Sequence, residues 1–408
     1  MRYASIPGHL PQHRFPAHPW RLVETELDLD DLGLTETLFA VGNGYIGMRA
    51  NPTEGRDAHS HGTYLNGFHE TWPIHHAESA HAFAKTGQTI VNVPDAKLLK
   101  LYVDDEPLLM GEADLESYER AVDFADGFSW RDVIWRTPAG KRIRVRSTRM
   151  VSLVHRHLAV LTLELELLDA SAPLMVSSQM LNRQDGEDEY HVRAAALGEG
   201  IDPRQARRFD RRVLQPRLQS VDQARAGATL GYRCANSGMT MATAYRHDVE
   251  TTCNHEIETS VEDDLAKTII TIDGVAGSPI RITKYVTYHS SRGVPTEELA
   301  DRCAWTLRRA SAAGVESLRA EQRQWLDRFW ADSDIEIEGS PPDQQAIRWN
   351  LFQLAQASAC ANEQGIAAKA VTAQGYDGHY LWDTEIYIIP LLAYTNPDAA
   401  RNLLRFRW

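Results

Sequence analysis

The segment Leu161-Thr162-Leu163-Glu164-Leu165-Glu166-Leu167 alternates apolar and polar residues without a break. Successive side chains leave a strand on opposite faces, so a half-buried strand collects all four leucines on one side. A helix would scatter them around its circumference. Ile143-Arg144-Val145-Arg146-Ser147-Thr148-Arg149 repeats the alternation more weakly. Thr268 to Ile272 and Ile280 to Tyr285 are β-branched runs on either side of the turn residues Asp273-Gly274 and Gly277-Ser278-Pro279. Period two dominates from about residue 20 to residue 290, punctuated by Gly, Pro, Asp and Asn, with no helical pattern between the runs. That excludes a βαβ sheet and predicts a large N-terminal β-sandwich over residues 1–290.

The period then changes. Pro295-Thr296-Glu297-Glu298 reads as a helix start with Thr296 as its cap, and Leu299, Cys303 and Leu307 follow at four-residue steps toward Gly314. A second helix is expected from about Val315 to Trp330, with Leu318, Trp325, Leu326 and Phe329 on its apolar side. Residues 291–340 therefore form a helical linker, closed by a Gly/Ser/Pro/Asp break that holds the strand-like Ile335-Glu336-Ile337. Beyond it, Ile347, Leu351, Leu354, Ala355 and Ser358 fit one helix face. A further helix is expected from Glu385 or Ile386 to about Tyr394, and another after Asn396-Pro397-Asp398, carrying Leu403, Leu404 and Phe406. Residues 341–408 suffice for two or three helices but not for a closed helical domain. The expectation is a chain that is the front part of a longer enzyme.

Charge and cysteine usage exclude several classes. A formal charge of -13, with no strip of gathered Lys and Arg, argues against nucleic acid as a partner. The first twenty residues lack an apolar signal region and no uncharged apolar run approaches bilayer length, so no membrane partner and a cytoplasmic location are expected. Cys234, Cys253, Cys303 and Cys360 stand far apart, as reduced buried thiols rather than zinc ligands or disulfides. His59, His61, His69, His75, His76 and His81 cluster locally without metal-ligand spacing, and read as surface or site-rim residues. Gly42-Asn43-Gly44-Tyr45-Ile46-Gly47 has no βαβ frame for a dinucleotide and reads as a β-turn.

The densest candidate site is Gly375-Tyr376-Asp377-Gly378-His379-Tyr380-Leu381-Trp382-Asp383-Thr384-Glu385. The Trp382 ring suits the apolar C–H face of a sugar, while Asp383 can accept hydrogen bonds from two adjacent hydroxyls. His379 and Tyr380 add donors, and Gly375 and Gly378 permit close backbone approach. The alternative is purely architectural: Asp383 or Thr384 caps the following helix, Glu385 favours its dipole, and Trp382 packs below.

Read in full, Lys369 to Trp408 resembles glycoside hydrolase family 65, the inverting disaccharide phosphorylases of maltose, trehalose, kojibiose and nigerose, with some hydrolases. Leu38 to Arg49, Gly62-Thr63-Tyr64-Leu65-Asn66-Gly67, Asn182-Arg183-Gln184-Asp185-Gly186, Asp334 to Gly339 and Gln345 to Phe352 are similar to family motifs in the same order. The resemblance implies a mutarotase-like sandwich, a helical linker and the start of an (α/α)6 barrel. It implies that Trp382 and Asp383, with His379 and Glu385, contact the glucosyl unit, and that inorganic phosphate is co-substrate with no metal or other cofactor. A disaccharide is then the partner, and a homodimer is compatible with the family. The family's general acid lies in an Asp-Glu-Tyr-His block of the barrel, expected beyond residue 408. The similar-looking Asp185-Gly186-Glu187-Asp188-Glu189-Tyr190-His191 falls in the sandwich and reads as a solvated turn. No catalytic residue is therefore assigned, and this chain on its own is expected to be inactive. Hydrolysis of the same disaccharides, non-catalytic carbohydrate binding and mutarotase-like chemistry in the sandwich remain as alternatives.

Overall fold

The computed structural model describes residues 10–408 apart from 77, 79, 184–211, 363 and 374. The acidic stretch 185–191 and the end of the 182–186 motif lie outside the described residues. The alternating segments build a ten-stranded antiparallel sheet whose central order is Asp114–Asp123, Phe128–Arg136, Arg142–Val151, Leu158–Leu167, Ile280–Ser291 and Thr240–Thr251. Gly227–Cys234 and Leu214–Asp222 extend one edge, and Arg21–Glu24 with Ala17–His18 the other. Opposite it lie a five-stranded sheet centred on Ala172–Leu181 and a four-stranded sheet carrying the hairpin Val41–Gly42 and Ile46–Met48. Leu161, Leu163, Leu165 and Leu167 all enter one large core, as their alternation requires. Thr162 is buried as well, because part of the opposite face of this strand is covered by helices rather than by water.

Those helices are Thr296–Ala313 and Val315–Ser333. Leu299, Cys303 and Leu307 pack on Met150, Val160 and Ala244 of the sheet, so the four-residue steps mark a real buried stripe. Thr296 is not the cap: the cap position falls on Pro295, and Thr296 is buried in the first turn. Gly314 ends the helix at a φ of 78°. In the second helix Gln322 is fully buried and bonds the Gly127 carbonyl at 2.6 Å and the Leu153 N–H at 3.0 Å, fastening helix to sheet.

Ile335 to Ile337 is not a strand. The Gln344 amide takes the place of a strand partner, accepting from Ile337 N at 2.7 Å and donating to Ile335 O at 2.9 Å. The helix Pro341–Ser358 buries Gln345, Arg348, Phe352 and Ala355, whereas Ile347 and Leu354 are only half-buried. Its buried polar residues bind backbone instead: Gln345 donates to Arg21 O at 2.7 Å and Arg348 to Pro19 O at 3.2 Å. After a short strand, Ala368–Val371, the chain runs through a π-turn Thr384–Ile388 into the helices Ile389–Thr395 and Pro397–Arg407. Asn396 caps the last of these through Ala399 N. The helix expected from Glu385 thus starts as a wider turn, and Leu404 stays exposed.

Candidate functional site

Three separated motifs converge. The Gly42-Gly47 segment is a hairpin in which Asn43 Oδ1 accepts from Tyr45 N at 3.0 Å and Ile46 N at 2.8 Å, with Gly44 at a φ of 85°. A Cβ on Gly47 would sit 1.6 Å from the Val371 carbonyl, so only glycine lets the sandwich approach the 368–371 strand this closely. Asn66 then ties the hairpin to the candidate string: its amide donates to Gly44 O at 2.8 Å and Gly365 O at 2.9 Å, and its Oδ1 accepts from Tyr380 Oη at 2.6 Å. Tyr376 and Asp377 adopt left-handed backbone conformations, and Asp377 accepts from Thr89 Oγ1 at 2.9 Å. The string Gly375 to Tyr380 is therefore shaped by the sandwich rather than by its own helix.

Trp382 and Asp383 lie just beyond this anchored part. Trp382 is 65% exposed, its ring centroid 6.4 Å from that of the exposed Tyr387. Asp383 is exposed and makes no side-chain cap to the following turn. The architectural account of these two residues thus finds no support in their contacts: neither packs below a helix nor caps one. Glu385 is ion-paired with Arg407 at 2.6 Å, and Arg407 also donates to Leu381 O at 3.0 Å.

His379, Tyr380 and Arg407 line a cleft of about 840 Å³ between the sandwich and the last helix. Trp382, Asp383 and Glu385 are not part of its wall. The sandwich contributes His69, Arg156, His157, His289 and Arg292, most of them at strand ends and distant in sequence. Arg156 lies over the Tyr45 ring at 4.5 Å and donates to Asn362 O and Gln364 Oε1. The His157 and His289 rings stack at 3.8 Å. Burial pushes His157 down to about 4 and His289 down to about 3, so both are neutral donors and acceptors at ordinary pH. Burial likewise lowers His69 and pushes Tyr380 up to about 12. The cleft is rich in guanidinium groups, and among the described residues Asp377 is its one carboxylate, a sign opposite to that of the whole chain. Of the four residues expected to contact the glucosyl unit it gathers only His379, together with Gly378 and Tyr380 of the same string, while His69 from the histidine cluster and Tyr45 from the glycine-rich hairpin join it. Arg156, His157, His289 and Arg292 carry no motif that would have marked them.

Residues 22–329 match the model of the glycosyl hydrolase family 65 N-terminal domain, and residues 348–408 that of the family 65 central catalytic domain. The chain belongs to glycosyl hydrolase family 65. It is 39% identical over 395 residues to an uncharacterized glycosyl hydrolase of Mycobacterium tuberculosis, covering 96% of this chain and 48% of that protein. It is 32% identical to an alpha,alpha-trehalose phosphorylase of Thermoanaerobacter brockii, covering 97% and 50% of the two chains. To a kojibiose phosphorylase of Escherichia coli it is 26% identical, covering 96% and 47%. The chain thus spans about half the length of the curated relatives it matches. A solved structure described provisionally as a kojibiose phosphorylase from the human microbiome superposes with a TM-score of 0.83 at 22% identity, covering 98% of this chain and 50% of that one. That likeness establishes the fold: a β-sandwich followed by helices.

Proposed function

We propose that this chain serves the inverting phosphorolysis of an α-linked glucosyl disaccharide of the maltose, trehalose or kojibiose class, in the cytoplasm. The observation that carries it is the solvent-facing Trp382-Asp383 pair, held out by a backbone that the sandwich anchors, in a family whose named relatives include trehalose and kojibiose phosphorylases. The Trp382 ring would cover the apolar face of the glucosyl unit and Asp383 would accept from its hydroxyls, with His379 and Glu385 as flanking contacts.

In such a reaction a general acid gives its proton to the glycosidic oxygen as the C1–O bond breaks. A phosphate oxygen forms the new bond to C1 from the opposite face, releasing β-glucose 1-phosphate and glucose. Inorganic phosphate is the co-substrate, and no residue of this chain is assigned the role of acid. The test is to incubate this chain, and a version extended over the length of its relatives, with each disaccharide plus phosphate, and to assay the glucose 1-phosphate that the extended protein is expected to form and this chain alone is not. Its formation, lost on omitting phosphate, supports the proposal. Release of glucose alone at equal rates with and without phosphate would make the protein a hydrolase.

A further inference from the structure

Leu381, Trp382 and Asp383 are exposed in a row, between two anchored neighbours. On one side Tyr380 is tied to Asn66 and lies edge-on to the Phe406 ring, the centroids 5.0 Å apart. On the other, Thr384 is buried and opens the turn Thr384–Ile388. Among the described residues, the one hydrogen bond that reaches these three from outside residues 381–388 is donated by Arg407 Nη2 to Leu381 O at 3.0 Å. The same guanidinium holds the Glu385 carboxylate with two N–H groups, Nε to Oε1 at 2.6 Å and Nη2 to Oε2 at 3.3 Å. One side chain thus grips the backbone just before Trp382-Asp383 and the carboxylate two residues after Asp383.

A guanidinium is planar and presents its N–H groups in fixed directions. Serving a carbonyl and both oxygens of a carboxylate at once therefore sets the angle between them, which the point charge of a lysine does not. Arg407 is also a fixed reference. It stands in the last turn of the helix Pro397–Arg407, where the unpaired carbonyls favour a cation, and Ala399, Ala400 and Leu403 seat that helix in the small apolar cluster. The Arg407 and Glu385 side chains are 38% and 28% exposed, and an ion pair so open to water contributes little to stability. What the contact supplies is geometry at the two residues it brackets.

We propose that Arg407 is a positioning residue for glucosyl binding: it fixes the backbone that carries Trp382 and Asp383, and the Glu385 carboxylate beside them, in the orientation that receives the sugar. This role rests on the reading of Trp382 and Asp383 as the sugar-holding pair, and acts through them. In this chain labelled with 5-fluorotryptophan, the Trp382 and Trp135 resonances are identified by their loss in Trp382→Phe and Trp135→Phe. Arg407→Met keeps the apolar stem and removes the fork. It should shift or broaden the Trp382 resonance while leaving the urea midpoint and the signal of Trp135, buried in the sandwich, unchanged. In the version extended over the length of the relatives, Arg407→Met should lower kcat/KM for the disaccharide about 10- to 100-fold, as misplacement of a binding group does. Arg407→Lys, which keeps the charge without the fork, should recover little of that loss. Residues that act through one another are not additive, so Arg407→Met added to Asp383→Asn should cost less than about threefold more. An unmoved Trp382 resonance, full kcat/KM in Arg407→Met, or losses from Arg407→Met and Asp383→Asn that multiply in full would overturn the positioning role while leaving the sugar-holding pair in place. Parental kcat/KM in Trp382→Ala and Asp383→Asn would overturn the sugar-holding pair itself, and the positioning role with it.

Discussion

At the scale of single residues, Asn66 does the most with one side chain, serving the hairpin through Gly44 O, the loop before the 368–371 strand through Gly365 O and the candidate string through Tyr380 Oη. Asn66→Ala leaves all three without a partner, two of them carbonyls deep in a junction, and should cost about 2–4 kcal/mol. Tyr380→Phe deletes one bond and should cost about 1 kcal/mol. Urea midpoints of the two variants, measured against the parent, check the order. Asp383 is the opposite case, exposed and uncommitted, so changing it should leave the midpoint where it was. If it holds the sugar through charge-assisted hydrogen bonds, Asp383→Asn should lower kcat/KM for the disaccharide by about 10- to 150-fold. A loss of stability with unchanged kinetics would assign Asp383 to the scaffold. The Asn66 to Tyr380 bond spans 314 positions. Local pattern marks both motifs but carries no sign that they meet.

At the scale of elements, sequence period sufficed wherever one face of a strand or helix was buried, as for Leu161 to Leu167 and for Leu299, Cys303 and Leu307. It failed where side chains replaced backbone partners. Ile335 to Ile337 has strand composition, yet Gln344 satisfies its backbone; Gln345 and Arg348 look exposed by polarity, yet are buried and bind backbone carbonyls. The strand Ile280–Ser291 is fixed to the helix Thr296–Ala313 through His289 Nε2 and Thr306 Oγ1 at 3.1 Å, with His157 stacked on the same ring. Burial holds both histidines neutral in the folded chain, pushed down to about 4 and about 3 from an ordinary value of 6.5. Their stabilising effect is thus complete above pH 6.5, where the unfolded chain is also neutral. It is lost as pH falls toward 4, because the unfolded state takes up the protons first. Stability should drop by about 1.4 kcal/mol per pH unit for each histidine in that window. Denaturant titrations at pH 7, 6 and 5 should show a shallower decline for His289→Gln, and a decline equal to the parent's would exclude the pair as its source.

For the whole molecule, cooperative units do not follow the change of sequence period. Leu351, Phe352, Ala355 and Cys360 belong to the same core as the sandwich leucines, so the helix Pro341–Ser358 is packed as part of the sandwich body. Ile366, Ile389, Leu392 and Leu403 form a separate, smaller cluster. That cluster meets the sandwich where backbones touch: a Cβ on Gly44 would lie 2.5 Å from Ala357 O, and one on Gly47 1.6 Å from Val371 O. A side chain at Gly47 cannot be absorbed by rotamer changes, because the opposing atom is main chain; the 368–371 strand must move away. Gly47→Val should therefore leave the large core intact while releasing the residues after about 360. Limited proteolysis followed by intact mass should show the parent resistant throughout. The variant should be cut between 361 and 375, leaving a stable fragment that retains the helix Pro341–Ser358. Cutting near residue 340 instead would mean that this helix leaves with the small cluster, and that sharing the sandwich core does not decide where the chain comes apart.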